Sequence, residues 1–344
     1  MLLFFYSRKN DIRDVKYIQF INSFGLIILV IVLFYIGLRP ISGLYFVDMG
    51  VYARTFEEYA SGGAIATEKD IYFEMFTKFC SSIMTVETYF LLCATLYIVP
   101  LYLAVKKIFK EYWFYAFLML IITLTFWAYG TNGIRNGIAT SIFLFAITRN
   151  NKLVIIGLLF LATSFHKSLF IPIIAYAVTY FYKNTKYIFY FWLLTIPLSL
   201  GFGGFWENFF LNLGLVDSQR IEGYFDDSQE VVETVIKVGF RWDFIMYSCT
   251  AIFSGWYFIF KKKFQDPFYN QIFNTYLIVN GIWILIIRAN FSNRFAYLSW
   301  FFMGFVIIYP LLKNVFFNNQ HKVVANIIIG FFLITFLLNV VLAA

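Results

Sequence analysis

Five arginines, two aspartates and a histidine sit where helices are expected to begin or end, and their types suit a phosphate-bearing substrate. Arg39 lies in GLRP, with Asp48 nine residues further on. Arg135 opens a helix in GTNGIRNGIA, between Gly133 and Gly137, which would let backbone amides approach a ligand. His166 occupies the turn FHKS, Arg241 and Asp243 belong to FRWDF, and Arg288 and Arg294 flank a tight turn in IIRANFSNRF. A guanidinium fork binds phosphate oxygens in pairs and keeps its charge in a low dielectric, so several of them make a pyrophosphate clamp. Helix N-termini at Arg135 and Arg241 add to the positive field. A neutral His166 can take a proton from a hydroxyl nucleophile. Asp48 and Asp243 are rival bases or partners for sugar hydroxyls. Any one of these arginines alone also reads as an interfacial anchor, so their distribution along the chain decides.

The elements that must position them follow from composition. With 61% hydrophobic residues, 13% charged and a mean hydropathy of +0.74 over 344 residues, the chain has too little polar surface to cover a soluble globule. It reads as an all-α polytopic membrane protein, a single integral membrane domain over 1–344. Aromatic residues make up 23% of the chain, which suits lipid-facing surfaces and interfacial belts. Cys80, Cys93 and Cys249 form neither a disulfide framework nor a metal-ligand spacing. The opening MLLFFYS is too short to span a bilayer or to act as a cleaved leader. There is no Gly-rich nucleotide loop, HExxH motif or serine nucleophile elbow, so no cofactor or metal is expected.

A span needs roughly 20 apolar residues. Eleven candidates fall near 18–38, 88–105, 112–130, 134–148, 153–165, 168–182, 187–205, 242–260, 268–288, 293–312 and 323–342. Their connections alternate in charge. One side holds sixteen basic residues, thirteen of them lysine, against four acids, a net of +12. The other holds eleven basic residues, seven of them arginine, against fifteen acids, a net of −4. The positive-inside rule places the N-terminus in the cytoplasm and the C-terminus outside. Lysine already anchors the inner side, so the outer arginines as a group are read as functional. The basic balance reports topology and calls for no nucleic acid.

Two outer segments are long. Segment 39–87 carries DMGVYARTFEEYA and DIYFEMFTKFCSSIM, in which apolar residues recur at helical spacing and an acid opens each run. These read as short amphipathic helices on the outer leaflet or over a cavity. Segment 206–241 is acidic, a candidate lid or a solvated loop.

At these same positions the chain resembles the EpsG-like branch of the Wzy-type polysaccharide polymerases. GLRP followed by Asp48 and by Tyr52 and Phe56 is similar to the opening GLR…D…Y…F of that branch. IRNGIATSIFLFAI resembles its IRQ-x-LA helix, ATSFHKSLFIPI its A-x-x-FH-x-S segment, RWDFIMYS its R-x-DF-x-x-x-S segment, and NRFAYLSWF a later arginine segment. The matches keep the family's order from about residue 36 to 300. Two departures stand out: Phe46 and Val47 precede Asp48 where the family has Gly-Thr, and Asn136 replaces a commoner glutamine.

The resemblance implies a GT-C-like glycosyltransferase in the bacterial cytoplasmic (inner) membrane, its active site facing the periplasm or outside. It implies transfer of a growing glycan from undecaprenyl pyrophosphate onto the non-reducing end of a lipid-linked oligosaccharide repeat unit, with a chain-length regulator and a flippase as partners besides membrane lipids. On this reading Arg39, Arg135, Arg241, Arg288 and Arg294 bind the pyrophosphate, His166, Asp48 and Arg135 are catalytic, and Asp243 and Tyr52 face sugar. An O-antigen ligase-like transferase uses the same chemistry. A transporter or flippase would instead place charge near mid-membrane, and a membrane O-acyltransferase would need His166 reachable from inside.

Overall fold

The computed structural model describes residues 14–65, 70–212, 239–289 and 292–343. The acidic segment read as a lid lies mostly outside the described residues. Among those described, the regular structure is helical, without strands. In chain order the helices are α1 (Val15–Gly37), α2 (Val47–Ala60), α3 (Ile71–Ser81), α4 (Val86–Phe109), α5 (Trp113–Ile121), α6 (Leu124–Thr131), α7 (Ile134–Ile147), α8 (Lys152–Phe165), α9 (Phe170–Phe181), α10 (Thr185–Asn212), α11 (Trp242–Trp256), α12 (Pro267–Leu285), α13 (Asn293–Trp300), α14 (Met303–Lys313) and α15 (Gln320–Ala343).

Each of the eleven expected apolar segments is occupied by helix; two of them break, and a third, 187–205, kinks at Phe202. The segment 112–130 breaks at Thr123, whose hydroxyl accepts the Phe126 N–H at 3.3 Å and so starts α6 afresh. The segment 293–312 breaks between α13 and α14. Five helical stretches are long and apolar enough to cross a membrane: Val15–Gly37, Val86–Ile121, Thr185–Phe210, Asn293–Lys313 and Gln320–Val340. Ile134–Ile147, Lys152–Phe165 and Lys167–Phe181 are shorter apolar helices. Exposed Leu26, Ile27, Val30, Ile31 and Phe34 on α1, and Phe332, Leu333, Phe336 and Leu337 on α15, would be costly in water and suit lipid. The chain is a multi-pass membrane protein.

Helix starts follow local chemistry. Asp14 accepts from the N–H groups of Lys16 and Tyr17, Asn151 from Leu153, and Asp266 from Tyr269, with Pro267 in the first turn of α12. Lys110, with φ of 52°, turns the chain between α4 and α5, which pack on one another.

The protein divides into two compact units, one comprising 1–173 and 307–344, the other 174–306. In the first, α4 is central and packs against α1, α5 and α7, while α7 also packs against α8. Gly37 allows the close approach of α1 to α4, since a Cβ there would stand 2.7 Å from Leu91 Cδ1 and 3.1 Å from its Cα. The two amphipathic helices lie over this core. α2 buries Met49, Tyr52, Ala53, Phe56 and Tyr59, and α3 buries Phe73, Glu74, Thr77 and Cys80. They are joined by Tyr59 Oη donating to Glu74 at 2.8 Å and by Lys78 Nζ donating to the Gly63 carbonyl at 3.0 Å. Burial, together with the Glu74 carboxylate, raises the Tyr59 pKa, so the phenol stays protonated as the donor.

In the second unit α10 and α12 form the main pair, with α11 and α13 on α12. Its centre is polar. Asn280 Oδ1 accepts from Trp192 Nε1 at 2.9 Å, and its amide donates to Ser248 Oγ and Ser299 Oγ at 3.0 Å each. Trp300 Nε1 donates to Ser248 Oγ at 2.7 Å.

Candidate active site

In the first unit, Arg135 sits in the first turn of α7, a helix whose N-cap is Gly133 and which has no side-chain cap. First-turn N–H groups without such a cap leave a positive end. The guanidinium lies over the rings of Tyr52 and Phe73, 5.6 and 5.9 Å from their centroids. Its Nε donates to Tyr52 Oη at 3.2 Å and its Nη1 to Asp70 Oδ2 at 3.2 Å. Nη2 has no hydrogen-bond partner among the described residues. The fork is therefore fixed on two sides and keeps donors in hand, as a phosphate ligand requires. Burial raises the Tyr52 pKa, opposed by the neighbouring Arg135, so its phenol is neutral at physiological pH.

Asp70 ties these parts together. Its backbone is left-handed, with φ of 49°, a conformation Asp tolerates better than most residues. Its side chain makes no capping bond to α3. The carboxylate turns instead to Arg135 and to Lys167, whose backbone N–H donates to Oδ1 at 3.1 Å. Oδ2 also lies 3.8 Å from His166 Nε2, within ion-pair range though beyond a direct hydrogen bond.

His166 ends α8 and begins the short 3-10 turn Lys167–Leu169. Its Nδ1 accepts the Ser168 backbone N–H at 3.1 Å and stands 2.8 Å from Ser168 Oγ, which donates to Asn136 Oδ1 at 3.0 Å. A backbone N–H can only donate, so Nδ1 is the acceptor and the ring proton of the neutral imidazole is on Nε2.

Asp48, half-buried in the first turn of α2, donates its backbone N–H to Asn132 Oδ1 at 2.8 Å. Among the described residues its carboxylate has no hydrogen bond or ion pair. It stands one helical turn before Tyr52, on the same face. Arg39 donates from Nη1 to the Ile36 carbonyl and from Nη2 to the Thr131 carbonyl at 2.6 Å. It thus closes the C-terminal ends of α1 and α6 beside the corner that leads to Arg135. Burial pulls its pKa down to about 10, so it remains charged at neutral pH.

In the second unit Arg241 precedes α11 and forms a two-toothed pair with Asp243, Nε to Oδ1 at 2.9 Å and Nη2 to Oδ2 at 2.5 Å, with its guanidinium 3.7 Å from the Phe244 ring centroid. Arg288 is exposed, 5.8 Å from the Phe240 ring centroid, and donates from Nη2 to the Leu200 carbonyl at 3.4 Å, near the kink in α10 at Phe202. Arg294 is exposed in the first turn of α13.

The family model described as the EpsG family matches residues 22–344. The chain belongs to the EpsG family. No curated protein and no solved structure matches it. EpsG membership points to a polysaccharide-polymerase type of function, glycosyltransferase-like and seated in a membrane.

Within this EpsG-family chain the structure gathers Arg135, Tyr52 and His166 into one hydrogen-bonded and ion-paired group in the first unit, with Asp48 a helical turn from Tyr52. In the second unit it pairs Arg241 with Asp243. It adds residues the sequence reading passed over. Asp70 was visible only as the acid opening an amphipathic run. Asn132, Asn136 and Ser168 lay inside the quoted motifs without a role.

Proposed function

We propose that this EpsG-family protein is a polysaccharide polymerase of the cytoplasmic membrane, with eleven spans, a cytoplasmic N-terminus and a GT-C-like architecture. It transfers a growing glycan from undecaprenyl pyrophosphate onto the non-reducing end of a lipid-linked repeat unit at the outer face. The observation that carries this reading is Arg135: a guanidinium held by Tyr52 and Asp70, flanked by two rings and placed at an open helix N-terminus, with Nη2 still available. Such a group binds the donor pyrophosphate and neutralises the charge that grows on it as it leaves, usually the largest single contribution to catalysis of such a displacement. Arg39 is assigned to holding the corner that presents Arg135. In the second unit Arg241, braced by Asp243, with Arg288 and Arg294, is assigned to phosphate oxygens of lipid-linked substrate, of which the reaction uses two molecules.

The acceptor hydroxyl must lose its proton as the new glycosidic bond forms and the bond to the pyrophosphate breaks. Asp48 is the base best placed by its surroundings, because its carboxylate is unengaged among the described residues while Asp243 is held in a two-toothed pair. Asp48→Asn keeps the backbone bond to Asn132 and removes the basic carboxylate. Polymer should fall by about two orders of magnitude, within the 10²–10⁴ range typical of general-base loss, at unchanged protein level in the membrane. A variant making polymer at more than a tenth of the normal rate would exclude Asp48 as the base.

A strain lacking the protein tests the whole reading. Accumulated single lipid-linked repeats support polymerisation. Long chains left on lipid would mean a ligase, and absence of repeats from the outer face a flippase.

A further inference from the structure

We infer that Asp70 and His166 form a positioning pair that holds Arg135 in register, and that His166 is not the proton acceptor of the transfer. The inference rests on the polymerase reading above and deepens it, adding a residue, Asp70, and fixing the role of another. Its basis is the hydrogen inventory. His166 Nδ1 already accepts the Ser168 N–H at 3.1 Å, and this bond caps the 3-10 turn Lys167–Leu169. The other nitrogen, Nε2, consequently bears the proton and lies 3.8 Å from Asp70 Oδ2. A neutral imidazole so arranged has no lone pair to offer a hydroxyl unless its cap opens.

Asp70, with a side chain only 9% exposed, meets cationic and N–H donors from two other helices and their connections: Arg135 Nη1 on α7, and Lys167 N–H and His166 Nε2 after α8. One carboxylate, at the start of α3, therefore sets the separation of three groups contributed by α7 and the α8–α9 turn. Its left-handed backbone, φ 49°, is what aims it away from α3. The pair is arranged as a brace for the guanidinium, and the proton of the acceptor passes elsewhere.

Asn and Gln separate the two halves of the imidazole. His166→Asn reproduces the Nδ1 acceptor and the cap, whereas His166→Gln reaches the Nε2 position and can still donate to Asp70. The measurement is polymer formed in the strain lacking the chromosomal protein, with membrane protein level and accumulated lipid-linked single repeats read alongside. At least one of the two variants should keep a tenth or more of wild-type polymer, and His166→Ala less than either. Asp70→Asn, which tolerates the same backbone but must set an amide N–H against Arg135 and His166 or against the Lys167 N–H, should lower polymer at least tenfold, the size of effect expected from a modest misplacement of a reacting group. Equal loss below one hundredth in both His166→Asn and His166→Gln, with the proteins present at normal level, would make His166 the base and overturn the inference. So would full activity in Asp70→Asn. Failure of the polymerase reading itself is distinguishable, because the deletion strain would then not accumulate single repeats at the outer face.

Discussion

Arg135→Ala is expected to abolish polymer while lipid-linked single repeats accumulate, with protein still present in the membrane. Removing one preorganised donor to a developing anion typically costs about 10²–10³ in rate, and here the lost group carries a full charge beside an open helix end. The sharper test is Arg135→Lys, because charge is retained and shape is not. In the native arrangement Nε binds Tyr52, Nη1 binds Asp70 and Nη2 has no hydrogen-bond partner among the described residues. An ammonium at the end of a flexible stem cannot make these contacts in three fixed directions. Drawn to the Asp70 carboxylate, it would leave the ligand position empty. Lysine should therefore restore less than a tenth of wild-type polymer, at unchanged lipid-linked precursor supply. A lysine variant with normal chain-length ladders would show that Arg135 contributes only charge, and an alanine variant with normal ladders would remove it from the site.

How much of this was legible in the sequence differs between the frame and the chemistry. Helix positions were readable because a bilayer demands long apolar runs, and every expected run is helical. The break at Thr123 was hidden, since LIITLTFW is apolar on both sides and only the threonine hydroxyl, acting as a cap, interrupts it. The runs DMGVYARTFEEYA and DIYFEMFTKFCSSIM were legible as helical because burying one face leaves a period of 3.6, and the helices there are Val47–Ala60 and Ile71–Ser81. The partners of charged residues were less accessible. Arg39 has the sequence setting of a phosphate ligand, yet its guanidinium meets the carbonyls that end α1 and α6. Both roles ask for a cation at a helix end, and only the fold says which oxygens come within reach. Asp70 was masked for a similar reason. An acid before an apolar helical run predicts a cap, and the carboxylate is instead drawn to Arg135, 65 positions away along the chain.

Asn280 should prove the most sensitive position of this polar centre, and the order of effects around it follows from the network hydrogen bonds each change removes, three for Asn280, two for Ser248 and one for Ser299. Asn280, Ser248 and Ser299 are fully buried, and the network uses both N–H donors of the Asn280 amide and gives its oxygen one donor. Asn280→Leu leaves the Trp192 indole N–H without an acceptor and removes the amide's bonds to the Ser248 and Ser299 hydroxyls, leaving Tyr276 Oη, which donates to the Ser248 carbonyl at 3.2 Å, as a side-chain link from α12 to Ser248. A buried donor left unpaired costs about 1–3 kcal/mol, toward the lower figure where the unfolded chain within a membrane finds other partners. Ser248→Ala orphans two donors, Trp300 Nε1 and one Asn280 N–H. Ser299→Ala orphans one, and its own hydroxyl merely gives up a bond to the Ala296 carbonyl. Thermal unfolding of the purified protein in detergent should then rank Ser299→Ala as mildest, Ser248→Ala as lower in midpoint by roughly twice the shift, and Asn280→Leu at least as low as Ser248→Ala. Equal midpoints for the two serine variants would mean that the tryptophan indole does not depend on Ser248, and that apolar packing of Trp300 against Phe244, Tyr247 and Trp283 holds this core without the polar centre.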